Sequence, residues 1–284
     1  MFIRELLVER VSVIGNTNEM RKHVAGIIDN TATMLYKKHH AMVETDSKQI
    51  IQLLYGEIKP LLEEYLETAV SPYAHKTVNV EFTILDRGTG KYSSEDSKLY
   101  ISQKVLVDLC NLKGSIKTKE ITGYKKESIP AFVGMYNNTI DTLLTIVLHE
   151  MTHGGQQKSD KHDEYRKSYL EPNIIKFLTQ LLDDEIDDTI KMKLDLSQPQ
   201  EIAAYANQAA VEVTHHLHKM EPNKQKQAIS LLLKDIQHKR ENRNIPRVLS
   251  TYAGIAKDGK RAEQMYRRFL KLFYQELNTY SESL

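Results

Sequence analysis

The chain has 284 residues, of which 40% are hydrophobic and 27% charged, a composition that excludes a largely disordered protein. Its 39 basic and 38 acidic side chains give a formal net charge of +1, which argues against a protein that coats nucleic acid over its whole surface. The one cysteine, Cys110, excludes an internal disulfide and a cysteine-rich zinc site; with no leader-like or bilayer-spanning apolar run, the sequence predicts a cytoplasmic protein without membrane contact.

The first third of the chain predicts two helices and then a strand. Apolar residues recur every three or four positions in Glu19–Met42 and again in Gln49–Val70, which favours a helix in each. The period changes to two in Val78–Ile84, where apolar and polar residues alternate as in a half-buried strand. Asp86–Asp96 is rich in glycine and serine and is predicted to be a turn or loop.

Two more strands are predicted before the chain becomes helical. Leu99–Ser102 is predicted to be a strand that runs into a short helix at Val105–Asn111. Ile129–Tyr136 is a third strand candidate, which Pro130 restricts to a sheet edge or a strand start. From Asn138 onward the apolar spacing is helical almost throughout. The predicted fold class is α+β: mostly helical, with a small sheet in the N-terminal half and a helical C-terminal region.

These patterns divide the chain into three predicted parts. They are an α+β subdomain at residues 1–137, a helical subdomain at 138–218 and a basic helical region at 219–284. The last part is distinguished by its charge, because Lys219–Lys271 carries fourteen Lys and Arg against five Asp and Glu, a net charge of +9. A solvated helix surface explains such a stretch, and a patch that contacts nucleic acid or an acidic partner is the alternative.

One segment carries recognisable chemistry, the His-Glu-x-x-His pattern that begins at His149. Residues four apart lie on one face of a helix, so the imidazoles of His149 and His153 can both reach one metal ion. Glu150 then lies beside the metal, where it can accept a proton from an activated water. The surrounding positions are apolar and predict a buried helix beginning at Asn138 or Thr139; surface histidines are the alternative, which such surroundings disfavour.

A third ligand must come from elsewhere, because catalytic zinc takes three protein ligands and leaves the fourth position for water. Glu201 is the candidate, since it falls in the first turn of a helix predicted to begin near Ser197 and small alanines around it permit close approach. The alternative for Glu201 is a surface glutamate that interacts with the helix dipole. His162 is a weaker candidate ligand, because it follows the second histidine at a short spacing.

The two motifs together resemble a known family. The pairing of His149-Glu-Met-Thr-His-Gly-Gly-Gln with Pro199-Gln-Glu-Ile-Ala-Ala-Tyr-Ala is similar to the gluzincin branch of the zincin metallopeptidases, in which a downstream helix supplies a glutamate. It resembles in particular small metallopeptidase-like proteins of phages and bacteria that carry a Glu-Ile-x-Ala-Tyr helix after the zinc motif. The resemblance covers about Asn138–Val213.

The resemblance implies a zinc-dependent metalloendopeptidase that acts on a peptide or protein substrate, in the host cytoplasm if the chain is phage-encoded. It implies a zinc ion, Zn²⁺, held by His149, His153 and Glu201, with Glu150 as the general base. The sequence departs from thermolysin-like members at Tyr205, where they have an aspartate that orients the first histidine.

Peptide hydrolysis also needs a hydrogen-bond donor for the oxyanion. Tyr205 lies one turn after Glu201 on the same predicted helix face and is the candidate donor. Three other side chains are alternatives, namely Tyr165, His162 and His215.

Resemblance to zincins further implies that an extended substrate pairs with an edge strand, for which Ile129–Tyr136 and Leu99–Ser102 are the candidates. A function of another class is the alternative to the peptidase. It is a non-catalytic, zinc-containing binding protein whose basic C-terminal helices contact nucleic acid or a protein partner. A closed fourth metal position would favour that function, and an open one would favour the peptidase.

Overall fold

The structure is a computed structural model, and it describes residues 11–40, 43, 46–71, 77–85, 88–93, 95–156, 199–217, 220–238, 246–255 and 260–284. The chain forms two compact units: the sheet unit is residues 16–155, and the C-terminal unit is residues 1–15 with 156–284. The described residues are mostly helical with one three-stranded sheet, so the predicted α+β class is confirmed. No helix among them is long and apolar enough to cross a membrane.

The sheet unit places helices before and after its strands. In chain order its described elements are α1 (Val11–Lys38), α2 (Ser47–Val70), β1 (Asn79–Thr83), β2 (Gly90–Ser93), β3 (Lys98–Ser102), α3 (Gln103–Thr122) and α4 (Ile129–Gln156). The first two predicted helices are confirmed as α1 and α2, although α1 already begins at Val11. Asp46 caps α2, because its carboxylate accepts a hydrogen bond of 3.0 Å from the Gln49 N–H.

The sheet has the strand order β1-β3-β2. Strand β3 lies in the centre, parallel to β1 and antiparallel to β2. Four buried side chains on β1 and β3 belong to one core with the helices of this unit: Val80, Phe82, Leu99 and Ile101. The strands predicted at Val78–Ile84 and Leu99–Ser102 are therefore confirmed, except that Ile84 lies beyond the end of β1 and is exposed.

Two segments near the sheet differ from the sequence prediction. Strand β2 lies inside Asp86–Asp96, which was predicted to be a loop. Its four residues show no alternation of apolar and polar side chains, and pairing with β3 makes them a strand. The short helix predicted at Val105–Asn111 is the middle of the 20-residue helix α3.

The strand predicted at Ile129–Tyr136 is wrong, because these residues form the first two turns of α4. Pro130 is tolerated there, since a proline in the first helical turn gives up an N–H that has no partner within the helix. The helix start predicted at Asn138 or Thr139 is also wrong, because α4 already begins at Ile129. The domain boundary predicted between residues 137 and 138 falls inside this continuous helix, and the compact units divide at 155/156 instead.

The C-terminal unit consists, in its described residues, of α5 (Pro199–Leu217), α6 (Pro222–Gln237), α7 (Arg247–Ile255) and α8 (Lys260–Ser283). Helix α8 packs most extensively against α5 and also contacts α6 and α7. A stack of buried aromatic rings joins α7 to α8, formed by Tyr252, Phe269 and Phe273. The described helices of the basic region predicted at 219–284 therefore pack together with α5 in one unit.

Candidate metal centre

The metal-binding motif occupies the last two turns of α4, a helix of 28 residues. His149, Glu150 and His153 are half-buried on one side of this helix. The other sides are packed into the protein through Ile140, Leu143, Leu144, Ile146, Val147, Leu148 and Met151, all of which are buried. The predicted buried helix is thus confirmed, and the two histidines lie on the side that the core leaves open.

The two imidazoles converge on one point. The Nε2 atoms of His149 and His153 lie 3.2 Å apart, and the ring planes are 80° from each other. Two ligands bound about 2.0–2.1 Å from zinc at a tetrahedral angle lie about 3.3–3.4 Å apart, so the observed separation fits a shared zinc ion. The position also suits a cation, because the last turns of a helix carry the partial negative charge of its free carbonyl groups.

Glu201 of helix α5 is the third member of the predicted ligand set, beside His149 and His153. Glu201 is half-buried in the first turn of α5, where the positive end of the helix dipole favours an ionised carboxylate. The chemistry of this donor set, two imidazole nitrogens and one carboxylate oxygen, therefore fits the predicted metal.

Glu150 is held by the neighbouring strand. The main-chain N–H of Tyr92 in β2 donates a hydrogen bond of 2.9 Å to Oε2 of Glu150. Gly90 of the same strand passes so close to α4 that a Cβ atom built there would lie 3.0 Å from Cγ of Glu150. Strand β2, which was not predicted from the sequence, therefore lies directly beside the general-base candidate.

The two outer edges of the sheet differ in what covers them. On β1, the N–H groups of Val80 and Phe82 donate to the carboxylates of Glu67 and Glu63 on α2, at 3.0 and 2.8 Å. These contacts occupy two of the N–H groups of β1 with which another strand would pair, whereas on β2 one N–H, that of Tyr92, is occupied in this way. Of the two predicted edge strands, one is the start of α4 and the other is the central strand β3. Strand β2 is the edge that remains beside the motif.

Two tyrosines of the C-terminal unit lie near Glu201. One is the predicted site residue Tyr205, and the other is Tyr252, which the sequence did not single out. Tyr205 is half-buried, one turn after Glu201 on α5. Tyr252 of α7 is fully buried, and its hydroxyl has no hydrogen-bond partner among the described residues. Burial raises the pKa of Tyr252 well above its ordinary value, and the nearby Tyr205 and Glu201 raise it further. In the sequence Tyr252 stands at an apolar helical position, which signals only a core residue.

Some predicted candidates cannot be placed. His162, Tyr165 and Ser197 lie outside the described residues, as does the side chain of His215. Comparison of the chain with known protein families, with curated proteins and with solved structures finds no match. The proposed function therefore depends on the sequence motif and on the geometry of these side chains.

Proposed function

We propose that this protein is a zinc-dependent metalloendopeptidase, with His149, His153 and Glu201 as zinc ligands and Glu150 as the general base. The observation that carries the proposal is the 3.2 Å separation of the two Nε2 atoms on one helix face, with the Glu150 carboxylate on the next residue. The half-buried position of Glu201 in the first turn of α5 and the small alanines that follow it support the third ligand. The proposal includes the predicted cytoplasmic location.

The proposed reaction adds water across a peptide bond. A zinc ion bound by these residues supplies a Lewis acid that makes water a nucleophile near neutral pH. Glu150 removes a proton from the attacking water while the oxygen bonds to the carbonyl carbon, and it then gives that proton to the leaving amine as the C–N bond breaks. Oε2 of Glu150 is engaged by the Tyr92 N–H, so Oε1 is the oxygen that carries the proton.

The oxyanion requires a neutral hydroxyl or another donor nearby. Tyr205 remains our candidate, because it is half-buried and lies one turn from Glu201. Tyr252 is fully buried and is therefore not a candidate for a group that touches substrate. Its raised pKa keeps this hydroxyl protonated and able to donate.

An extended substrate would pair with the outer edge of β2 through main-chain groups other than the Tyr92 N–H, which donates to Glu150. The Ser102 N–H donates to the Thr89 carbonyl at 2.9 Å, and β2 and β3 are antiparallel. Hydrogen-bonded pairs alternate along such a ladder, so Gly90 and Tyr92 direct their main-chain groups away from β3. The Gly90 N–H and the carbonyls of both residues are then the groups that a substrate backbone would meet.

The experiment that tests the function uses the full chain and a mixture of unfolded proteins as substrate. New peptide termini are counted by mass spectrometry in zinc-loaded protein, after chelation, and after zinc is added back. We expect cleavage that chelation abolishes and zinc restores, that His153→Ala lacks, and that the control His238→Ala, at an exposed histidine, keeps. Cleavage that survives chelation, or that His153→Ala keeps, contradicts the proposal.

The alternative function, a non-catalytic zinc protein with a basic nucleic-acid or protein-binding region, makes a different prediction. Such a protein would bind zinc at the same residues and cleave nothing. The net charge of +9 over Lys219–Lys271 is the feature that favours it. Zinc binding without any cleavage, together with salt-dependent binding of nucleic acid, would support this alternative over the peptidase.

A further inference from the structure

We infer that the main-chain N–H of Tyr92 is a positioning group for Glu150, and that residue 90 is glycine because this contact requires it. The catalytic consequence rests on the proposed function. The contact itself lies wholly within the sheet unit and can be measured without zinc or substrate.

The Tyr92 N–H is free to make this contact because of its place in the ladder. The register pairs Lys91 with Tyr100 and Ser93 with Lys98, and these hydrogen-bonded pairs turn the main chain of Lys91 and Ser93 towards β3. Tyr92 lies between them, so its N–H points away from β3, where an edge strand ordinarily meets water. Here it meets Oε2 of Glu150 at 2.9 Å. Hydrogen bonds to an ionised carboxylate are among the stronger ones in proteins.

Gly90 allows the strand to come this close. A Cβ atom at residue 90 would lie 2.4 Å from Cγ2 of Ile146, 3.0 Å from Cγ of Glu150 and 3.3 Å from its Oε1. Ile146 and Glu150 are one turn apart on α4, so the strand crosses the helix at the turn that carries the carboxylate. A side chain at residue 90 would force the two elements apart and lengthen the Tyr92–Glu150 contact.

The contact fixes one carboxylate oxygen and leaves the other for proton transfer. Other carboxylates at the sheet edge show that such a contact is not catalytic in itself, since Glu67 holds the Val80 N–H in the same way at 3.0 Å. What distinguishes Glu150 is its position next to His149. A carboxylate that is free to rotate would reach the reacting water less often, so loss of the contact should lower kcat and leave KM and zinc affinity unchanged.

Proline at residue 92 removes the N–H itself. Because this N–H points away from the ladder, proline costs no strand pairing there, as is usual for edge strands. Tyr92→Ala is the matched control, since it loses the same side chain and keeps the N–H. We expect kcat of Tyr92→Pro to be at least about tenfold below that of Tyr92→Ala, with equal zinc content and equal KM. Equal kcat values in the two variants would overturn the inference.

The decisive experiment measures amide hydrogen exchange by NMR in the metal-free full chain. In Glu150→Ala we expect the Tyr92 amide to exchange about tenfold or more faster than in the wild type, with the Val80 amide unchanged. Glu67→Ala is the matched control and should accelerate Val80 but not Tyr92. A Tyr92 amide that exchanges equally fast with and without the Glu150 carboxylate would overturn the inference. A wild-type protein that cleaves nothing would contradict the proposed function alone, because the exchange rates decide the positioning contact without activity.

Discussion

The Nε2 atom of His149 lies 3.2 Å from the Nε2 atom of His153, on the side of α4 that the core leaves open. Two nitrogens at this distance either share a proton or share a metal ion. The proposed zinc ion would in addition account for the carboxylate, Glu150, that directly follows the first histidine.

Glu201→Ala should lower zinc affinity by about a hundredfold or more, because the carboxylate would be lost as a ligand while the rest of α5 stays helical. Titration with a zinc-buffered indicator measures the affinity, and circular dichroism checks the helix content. The control is Glu221→Ala, at an exposed glutamate of the same unit, and should bind zinc as the wild type does. If Glu201→Ala bound zinc as tightly as the wild type, Glu201 would not be a zinc ligand, and His162 would become the candidate third ligand.

Gly90→Ala should lower the free energy of unfolding by about 1–3 kcal/mol, since the new methyl group would meet Ile146 at 2.4 Å. The double variant Gly90→Ala/Ile146→Ala also removes the side chain that the new methyl group would meet. Its loss in free energy of unfolding should be smaller than the sum of the losses in the two single variants. Urea denaturation measures all three proteins. The control is Gly134→Ala, in helix α4 like Ile146, where a Cβ atom would have nothing within 4 Å. This change should raise the free energy of unfolding by about 1 kcal/mol. Strictly additive effects at residues 90 and 146 would argue against the close crossing of β2 and α4.

Cys110 should make stability depend on pH in the alkaline range. Its thiol is 1% exposed, and burial raises its pKa from 9.0 to about 12. The unfolded chain loses this proton near pH 9 and the folded chain only near pH 12, so the stabilisation is complete below pH 9 and disappears as the pH rises to 12. The effect amounts to about 4 kcal/mol at most.

Urea denaturation between pH 8 and 11 checks this, with Cys110→Ala as the comparison. Its free energy of unfolding should fall less steeply with pH than that of the wild type. The buried Tyr36, whose pKa burial also raises, contributes equally in both proteins. Burial also raises the pKa of Tyr136, and the charge of the nearby Cys110 raises it further, so part of the Tyr136 contribution is lost with the thiol. Identical pH dependence in the two proteins would mean that the thiol is not buried.

The local features of the fold were predictable, and those that depend on distant pairing were not. Nearby residues in the sequence show the 3.6-residue apolar period of α1, α2 and α5 and the alternation of apolar and polar side chains in β1. Strand β2 carries no such pattern, because contact with β3 makes it a strand. At Ile129–Tyr136 the apolar residues suit either period, and the continuation into the rest of α4 decided for a helix.

The same distinction holds for the candidate site. His149, Glu150 and His153 stand at a fixed helical spacing, so their common face followed from the sequence alone. The contact of Glu150 with strand β2 involves a main-chain N–H, and no side chain at residue 92 signals it. Tyr252 likewise looked like an ordinary core residue, because only the fold reveals that its buried hydroxyl lacks a partner among the described residues. The third-ligand role of Glu201 stays a prediction.

Glu150→Gln tests the catalytic zinc centre most directly when zinc content and peptide cleavage are measured on the same preparation. Its amide oxygen can still accept from the Tyr92 N–H, but the side chain cannot take a proton from water. We expect one zinc per chain, as in the wild type, and cleavage reduced by about a hundredfold or more; the exposed control Glu57→Gln should keep both. A Glu150→Gln protein that cleaves as fast as the wild type, or a folded wild type that takes up no zinc, would contradict the catalytic centre.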